Sequence, residues 1–321
     1  MLPMPSFFHP SLAGELYLER AAEVASAARS YARENEIRPA REDKPRICAF
    51  GIDVQIAFAL PGASLFVPGA VEDTARTLRW MFGNLDRITS LVLSMDTHQA
   101  LQIFHPAWWE DAEGKPPAPF TPISRTDVES GKWRPRFEAE AARAYVRRLE
   151  EGGKYALTIW PYHALLGGIS HALVPALREA ALFHAIAREA PTTFTLKGSE
   201  PLTESYSVLA PEVTELAGRT LGAFNQSLFA QLMSHDRVYV FGQAKSHCVL
   251  STLLDLRDHV VKTDRALLKK LYVLEDAMSP VPPPPLEPLP PELDFPALAE
   301  RGIAELREQG MNVVRTTEPI G

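Results

Sequence analysis

The chain has 321 residues, with 33 basic and 40 acidic side chains and a formal net charge of −7. This acidic balance argues against a nucleic-acid or anionic-membrane surface, and no apolar run approaches the ~20 residues of a membrane span. Two cysteines cannot make a disulfide framework, so a reducing, cytoplasmic setting is the default. Residues 1–12 have no basic stretch followed by an apolar one, so no signal peptide is expected. A 46% hydrophobic composition is enough for a sizeable core.

Residues 12–35 form a long amphipathic pattern, read as a helix in an N-terminal addition, 1–44. From residue 45 to 321 a single α/β domain is expected. The first buried strand, 47–52 (ICAFGI), ends at Asp53, which heads Asp53-Val-Gln55-Ile-Ala-Phe58. A helical pattern follows at 71–84. The run 88–95 (ITSLVLSM) leads to Asp96-Thr-His98, with His105 seven residues on. An insertion at 106–153 carries a loose proline group and a helical pattern at 137–150. The run 155–160 (YALTIW) leads to Pro161 and His163. Residues 165–188 read as one long helix, within an insertion at 164–191. The strand 192–196 ends at Lys197-Gly198, and 211–234 reads as helix. The strand 237–242 leads through Gln243-Ala244-Lys-Ser-His247 to Cys248, where a helical pattern, 248–259, begins. After a strand at 271–274, a proline-rich insertion, 279–296, reads as a stiff spacer, with an SH3-type ligand as the less favoured reading. A helix at 297–309 and a strand at 311–314 complete the chain. Near-continuous apolar runs alternating with helices predict a three-layer α/β/α fold around a mostly parallel sheet.

Asp53, Asp96 and Lys197 close strands, and Cys248 follows one. In open α/β sheets the ligand site lies outside the carboxyl ends of the strands, so these groups are expected to converge. A thiol at a helix start feels the positive end of the dipole, which predicts a lowered pKa. The bland alternative is an inert buried thiol, the reading that suits Cys48 in its apolar strand. Asp53 and Lys197 taken singly are ordinary strand-end residues. Beside Cys248 they become a general base and its supporting cation. Asp96, His98, His163 and, more loosely, His105 suit zinc, iron or manganese. They are equally compatible with loop histidines that only make hydrogen bonds, and spacing does not decide.

Five motifs in order resemble the nicotinamidase branch of the isochorismatase-like cysteine hydrolases. They are Asp53-Val-Gln55-Ile-Ala-Phe58, Asp96-Thr-His98, Trp160-Pro-Tyr-His163, Lys197-Gly198 with Glu204-Ser-Tyr-Ser207, and Gly242-Gln-Ala-Lys-Ser-His-Cys248-Val249. The resemblance implies an isochorismatase-like, Rossmann-like fold and a Cys248–Asp53–Lys197 triad releasing ammonia from nicotinamide or a related small amide through a thioester. It implies an oxyanion hole from the N–H groups of Ala244 and Cys248, with a cis peptide at Gln243–Ala244. It implies a divalent metal, zinc first and iron or manganese as alternatives, on Asp96, His98 and His163, with His105 as an additional candidate. Phe58, Trp160 and Gln55 would contact the substrate. The chain departs from the pattern at Ala164, where a second cysteine is common, and at Lys245-Ser246, where a Thr-acid pair is usual. The insertions flank the mouth of the site and leave a larger amide open. Two alternatives stand beside this reading: a hydrolase acting on an isochorismate-type or carbamoyl substrate, and a non-catalytic binding member. The added helix and proline-rich segment suggest burial against another subunit, hence a homo-oligomer.

Overall fold

The apolar runs become strands, the central ones buried on both faces and the edge ones partly exposed. In the computed structural model, which describes residues 2–152, 157–285 and 287–320, six of them form one parallel sheet. These are β1 (Ile47–Ile52), β2 (Ser90–Asp96), β3 (Thr193–Lys197), β4 (Arg237–Gly242), β5 (Leu271–Leu274) and β6 (Asn312–Val314). Their spatial order is β6-β5-β4-β1-β2-β3. The order reverses between β1 and β4, so the crevice beyond their carboxyl ends is the topological switch point. Every residue of β1 is buried, as a central strand requires.

Helices cover both faces. On one, α1 (Ala21–Glu34) packs on α4 (Pro175–Ala187), which also meets α2 (Ala70–Gly83). On the other, α6 (Leu250–Thr263) packs on α7 (Phe295–Gln309). The helix α3 (Ala139–Gly152) buries Ala142, Tyr145, Val146 and Leu149, one stripe at helical spacing. A further helix, α5, spans Gln226–Met233. The N-terminal segment joins the same core through Phe7, Phe8, Val24 and Ala28. Among the described residues no helix is long and apolar enough to cross a membrane.

Four sequence expectations are corrected. The run 155–160 is not a strand of the main sheet. Tyr155 and Ala156 lie outside the described residues, and Leu157–Thr158 pairs antiparallel with Pro122–Ile123 instead. The place beside β2 is taken by β3, and an apolar run alone cannot tell a central strand from a short buried ladder. The helix expected over 165–188 starts only at Pro175, which sits in its first turn. Gly167, at φ 83°, breaks the stretch before it. The pattern 211–234 contains a hairpin, Glu215–Leu216 against Arg219–Thr220, before α5. Ala217 and Gly218 both have positive φ there, as a two-residue primed turn needs. The helix expected over 12–35 is split into a 3-10 turn, Pro10–Gly14, and α1.

Gly242 ends β4 at φ 129°, and a Cβ there would lie 2.0 Å from the Ile52 carbonyl oxygen. Only glycine lets β4 turn this closely against the end of β1, and that contact brings the segment bearing Cys248 over Asp53.

Candidate active site

The sheet register sets the first contacts. Asp96 and Lys197 are direct neighbours on β2 and β3. Lys197 Nζ lies 2.9 Å from Asp96 Oδ1, 3.0 Å from Asp53 Oδ2 and 2.8 Å from the Ser205 carbonyl oxygen. Three donors thus meet three oxygens, and the Cys248 sulfur lies 3.6 Å from the same nitrogen. Cys248, Asp53 and Asp96 each present a ligand atom within 4.8 Å of the others. All four side chains are buried. The Ser94 hydroxyl donates to Asp53 Oδ1 at 2.6 Å and fixes the carboxylate.

The electrostatics follow from burial and charge. Burial pushes Asp53 up, Lys197 pulls it down and Asp96 pushes it up again, for a net rise. Burial also acts on Asp96, but His98 and Lys197 outweigh it and hold that carboxyl well below its ordinary range. Burial alone would lower Lys197; Asp53 and Asp96 overcome this and hold it well above its ordinary value. Cys248 corrects an expectation. It sits within a π-helical turn, Lys245–Val249, that runs into α6. Burial holds its thiol well above the usual value, with Lys197 opposing and Asp53 and Asp96 adding to the rise. The helix start does not outweigh desolvation and two nearby carboxylates, so the resting sulfur is a thiol beside a base.

A second cluster adjoins the first. Asp96, His98 and His163 each present a ligand atom within 4.8 Å of the others. Nδ1–H of His98 donates to the Gly198 carbonyl at 3.0 Å, and Nδ1–H of His163 to the Pro161 carbonyl at 2.7 Å. A carbonyl can only accept, so Nδ1 carries the proton in both bonds and Nε2 is the atom left for another partner. Both Nε2 atoms face Asp96 Oδ2, at 2.7 and 3.7 Å. Burial pushes His163 away from carrying a proton, so its Nε2 turns a lone pair toward the carboxylate, an arrangement that a shared cation satisfies. The backbone anchors are the outer partners that metal-binding imidazoles use. Gly198, at φ 82°, leaves the room: a Cβ there would lie 2.6 Å from Asp96 Oδ1 and 2.8 Å from His98 Cε1. The donor set therefore fits a divalent cation.

His105 stands apart from that trio, its ring centroid 5.9 Å from those of His98 and His163. It is fully buried and neither ring nitrogen has a hydrogen-bond partner. Burial, then His163 and His98, push its pKa down to about 3, so it is a neutral imidazole with a lone pair to offer.

The metal reading carries a direct test. After dialysis against zinc, the wild-type chain is expected to retain about one ion per chain and His163→Ala much less than one. Elemental analysis reads the difference, and equal retention by both proteins would remove the site.

Above both clusters opens a pocket lined by Phe58, Phe104, Trp160, Tyr206, His247 and Val281, among others, with Cys248 and Ala244 in its wall. Phe58 and Trp160 are both in its lining, and Gln55 is not. Its amide donates to the Asp96 and His171 carbonyls at 2.8 and 2.7 Å and accepts from Asp96 N–H at 2.7 Å. It braces the ends of β1 and β2 and does not line the pocket. The Gln243–Ala244 peptide is cis. Sequence reasoning missed Ser94, although a serine inside an apolar strand run is a visible signal. It also missed Val281, which a proline-rich spacer gave no reason to bring here. Ser246 explains it: its hydroxyl accepts from Val281 N–H at 3.0 Å.

This architecture has relatives among solved structures. An Acinetobacter baumanii nicotinamidase/pyrazinamidase matches with a TM-score of 0.53 over 86% of this chain and 99% of its own, at 20% identity. The yeast nicotinamidase bound to the inhibitor nicotinaldehyde matches with a TM-score of 0.53 over 84% and 99%, at 18% identity. The chain has the isochorismatase-like fold of the nicotinamidases. No family model and no curated protein matches the sequence. The near-complete cover of those two structures means that their fold is present in this chain almost in full.

Proposed function

We propose that the protein is a cysteine amidohydrolase that releases ammonia from a small neutral aromatic amide such as nicotinamide or pyrazinamide. One observation carries the reading: the buried Cys248–Asp53–Lys197 cluster opens on an aromatic pocket that also contains a metal-ligating trio. In this scheme Asp53 takes the Cys248 proton, and the sulfur attacks the amide carbon. The N–H groups of Ala244 and Cys248 face the developing oxyanion. Protonated Asp53 gives its proton to the leaving nitrogen, and ammonia departs, leaving a thioester. Asp53 then takes a proton from water, whose oxygen attacks the thioester carbon. The acid is released and the thiol restored. Lys197 keeps Asp53 ionised between these transfers. A divalent cation, zinc by preference and iron or manganese as alternatives, would be held by Asp96, His98 and His163, with His105 beside it; when bound it supplies a Lewis acid for a lone pair on the substrate ring. Phe58 and Trp160 flank that ring.

The pocket also separates this reading from its rivals. None of its described lining residues is Arg or Lys, and Glu204 is among them. A substrate carrying its own carboxylate finds no guanidinium or ammonium in that lining to pair with it, which disfavours isochorismate-type and N-carbamoyl amino acid substrates. The test is an ammonia-release screen over nicotinamide, pyrazinamide, benzamide and a carboxylate-bearing amide with the zinc-loaded protein. Turnover is expected for the ring-nitrogen amides first. Turnover confined to the carboxylate-bearing amide, or none at all, refutes the reading.

A further inference from the structure

Glu204 is a buried carboxyl that the mechanism above does not use. It sits at the end of a chain of hydrogen bonds. Trp160 Nε1–H donates to the Tyr206 hydroxyl at 2.9 Å, and that hydroxyl donates to Glu204 Oε1 at 2.6 Å. On the other side the Tyr145 hydroxyl donates to Glu204 Oε2 at 3.1 Å and accepts from Glu204 N–H at 3.0 Å. All four side chains are buried. Trp160, Glu204 and Tyr206 line the pocket, whereas Tyr145 belongs to the helix α3.

We propose that Glu204 is a positioning residue for the amide hydrolysis. Through Tyr206 it fixes the plane of the Trp160 indole against the substrate ring, and through Tyr145 it anchors that wall of the pocket to α3. The inference rests on the proposed reading of the pocket as an aromatic-amide site. An indole has one donor and can turn about its side-chain torsions; a partner that is itself held leaves it one orientation. Tyr206 can be such a partner only while its own proton has an acceptor, and Glu204 supplies it. With both oxygens engaged, Glu204 acts through Tyr206 and not on the substrate. Burial, with Glu212 adding, pushes its pKa up to about 8, so near neutrality it is largely a neutral carboxyl. A glutamine side chain keeps the size and planarity and one acceptor oxygen for the Tyr206 hydroxyl, while its amide N–H2 can donate to the Tyr145 oxygen. The helix α3 thus acquires a function: through Tyr145 it completes this wall of the pocket.

Steady-state kinetics on nicotinamide with the zinc-loaded protein test this. Glu204→Ala and Tyr206→Phe are expected to raise KM by about fivefold to tenfold, the value of one aromatic contact, while kcat stays within about twofold. Glu204→Gln is expected to restore the wild-type KM. The rate of Cys248 alkylation by iodoacetamide is expected to be the same in all of them. A fall in kcat with KM unchanged, or Glu204→Gln as impaired as Glu204→Ala, overturns the proposal. If the wild type turns over no aromatic amide, the functional reading fails, and the positioning role is read without substrate. The near-ultraviolet circular dichroism band lost in Trp160→Phe should weaken in Glu204→Ala and persist in Glu204→Gln; an unchanged band in Glu204→Ala refutes positioning.

Discussion

Replacing Cys248 by alanine is expected to lower ammonia release by about 1,000-fold or more, with the fold intact. The Ser94 hydroxyl also touches Asp53, but among the described lining residues Cys248 is the group beside Asp53 that opens on the pocket, and members of a catalytic unit fail together when one is removed. Structurally the change is small: one sulfur is lost from the wall of a pocket, with no buried charge left unpaired. The thiol is held above its ordinary pKa by burial and by Asp53 and Asp96, so it reacts only when its base takes the proton. Its alkylation by iodoacetamide should therefore depend on Asp53, and Asp53→Asn should slow the labelling without unfolding the chain. Cys48 provides the internal control. It is fully enclosed in β1, and burial pushes its thiol far up. Labelling of the folded wild type is thus expected at Cys248 alone, and to vanish in Cys248→Ala. Wild-type ammonia release in Cys248→Ala would end the cysteine mechanism.

What the sequence makes legible follows the range of the interactions involved. Strands β1, β4 and β5 are continuous apolar runs with little competition, and their ends can be read directly. Because a parallel sheet places strand ends together, Asp53, Asp96, Lys197 and the segment before Cys248 could be brought to one crevice before any contact was known. The nitrogen-to-oxygen distances could not, since they depend on the β2–β3 register and on Gly242 packing against Ile52. Gln55 shows the limit of a motif. Its spacing puts it beside the site, but whether an amide faces ligand or backbone is decided by which carbonyls come near. The run 155–160 shows the limit of periodicity, because burial in a short ladder and burial in a sheet select the same residues. The thiol of Cys248 shows a limit of local electrostatics. The dipole of a helix start is visible in sequence, whereas the desolvation and the two carboxylates that outweigh it are tertiary facts.

Lys197→Met is expected both to abolish activity and to destabilise the chain, and a second substitution separates the two effects. Lys197 stands between Asp53 and Asp96, at 3.0 and 2.9 Å, with all three side chains buried. Removing the cation leaves two carboxylates facing each other out of water, a change that costs roughly 3–5 kcal/mol for a buried pair. The Lys197 charge pulls Asp53 down against burial and Asp96. Without it Asp53 holds its proton more tightly and takes the thiol proton less readily, so kcat should fall by about 100-fold or more. The pH dependence follows in sign. Asp53 in the variant has a folded-state pKa raised further above its unfolded value, so its proton is held more tightly in the folded chain. Stability is then lost as pH rises through the interval between those values and regained on acidification. The stability deficit of Lys197→Met should accordingly shrink between neutral and mildly acidic pH. In the double variant Lys197→Met with Asp53→Asn, one of the two opposed charges is gone. Much of the lost stability should return at neutral pH while activity stays absent, a coupling that denaturant titration of the four proteins in the cycle measures. Additive losses in that cycle would mean that Lys197 and Asp53 do not share a charge balance, and the triad assignment would fall with it.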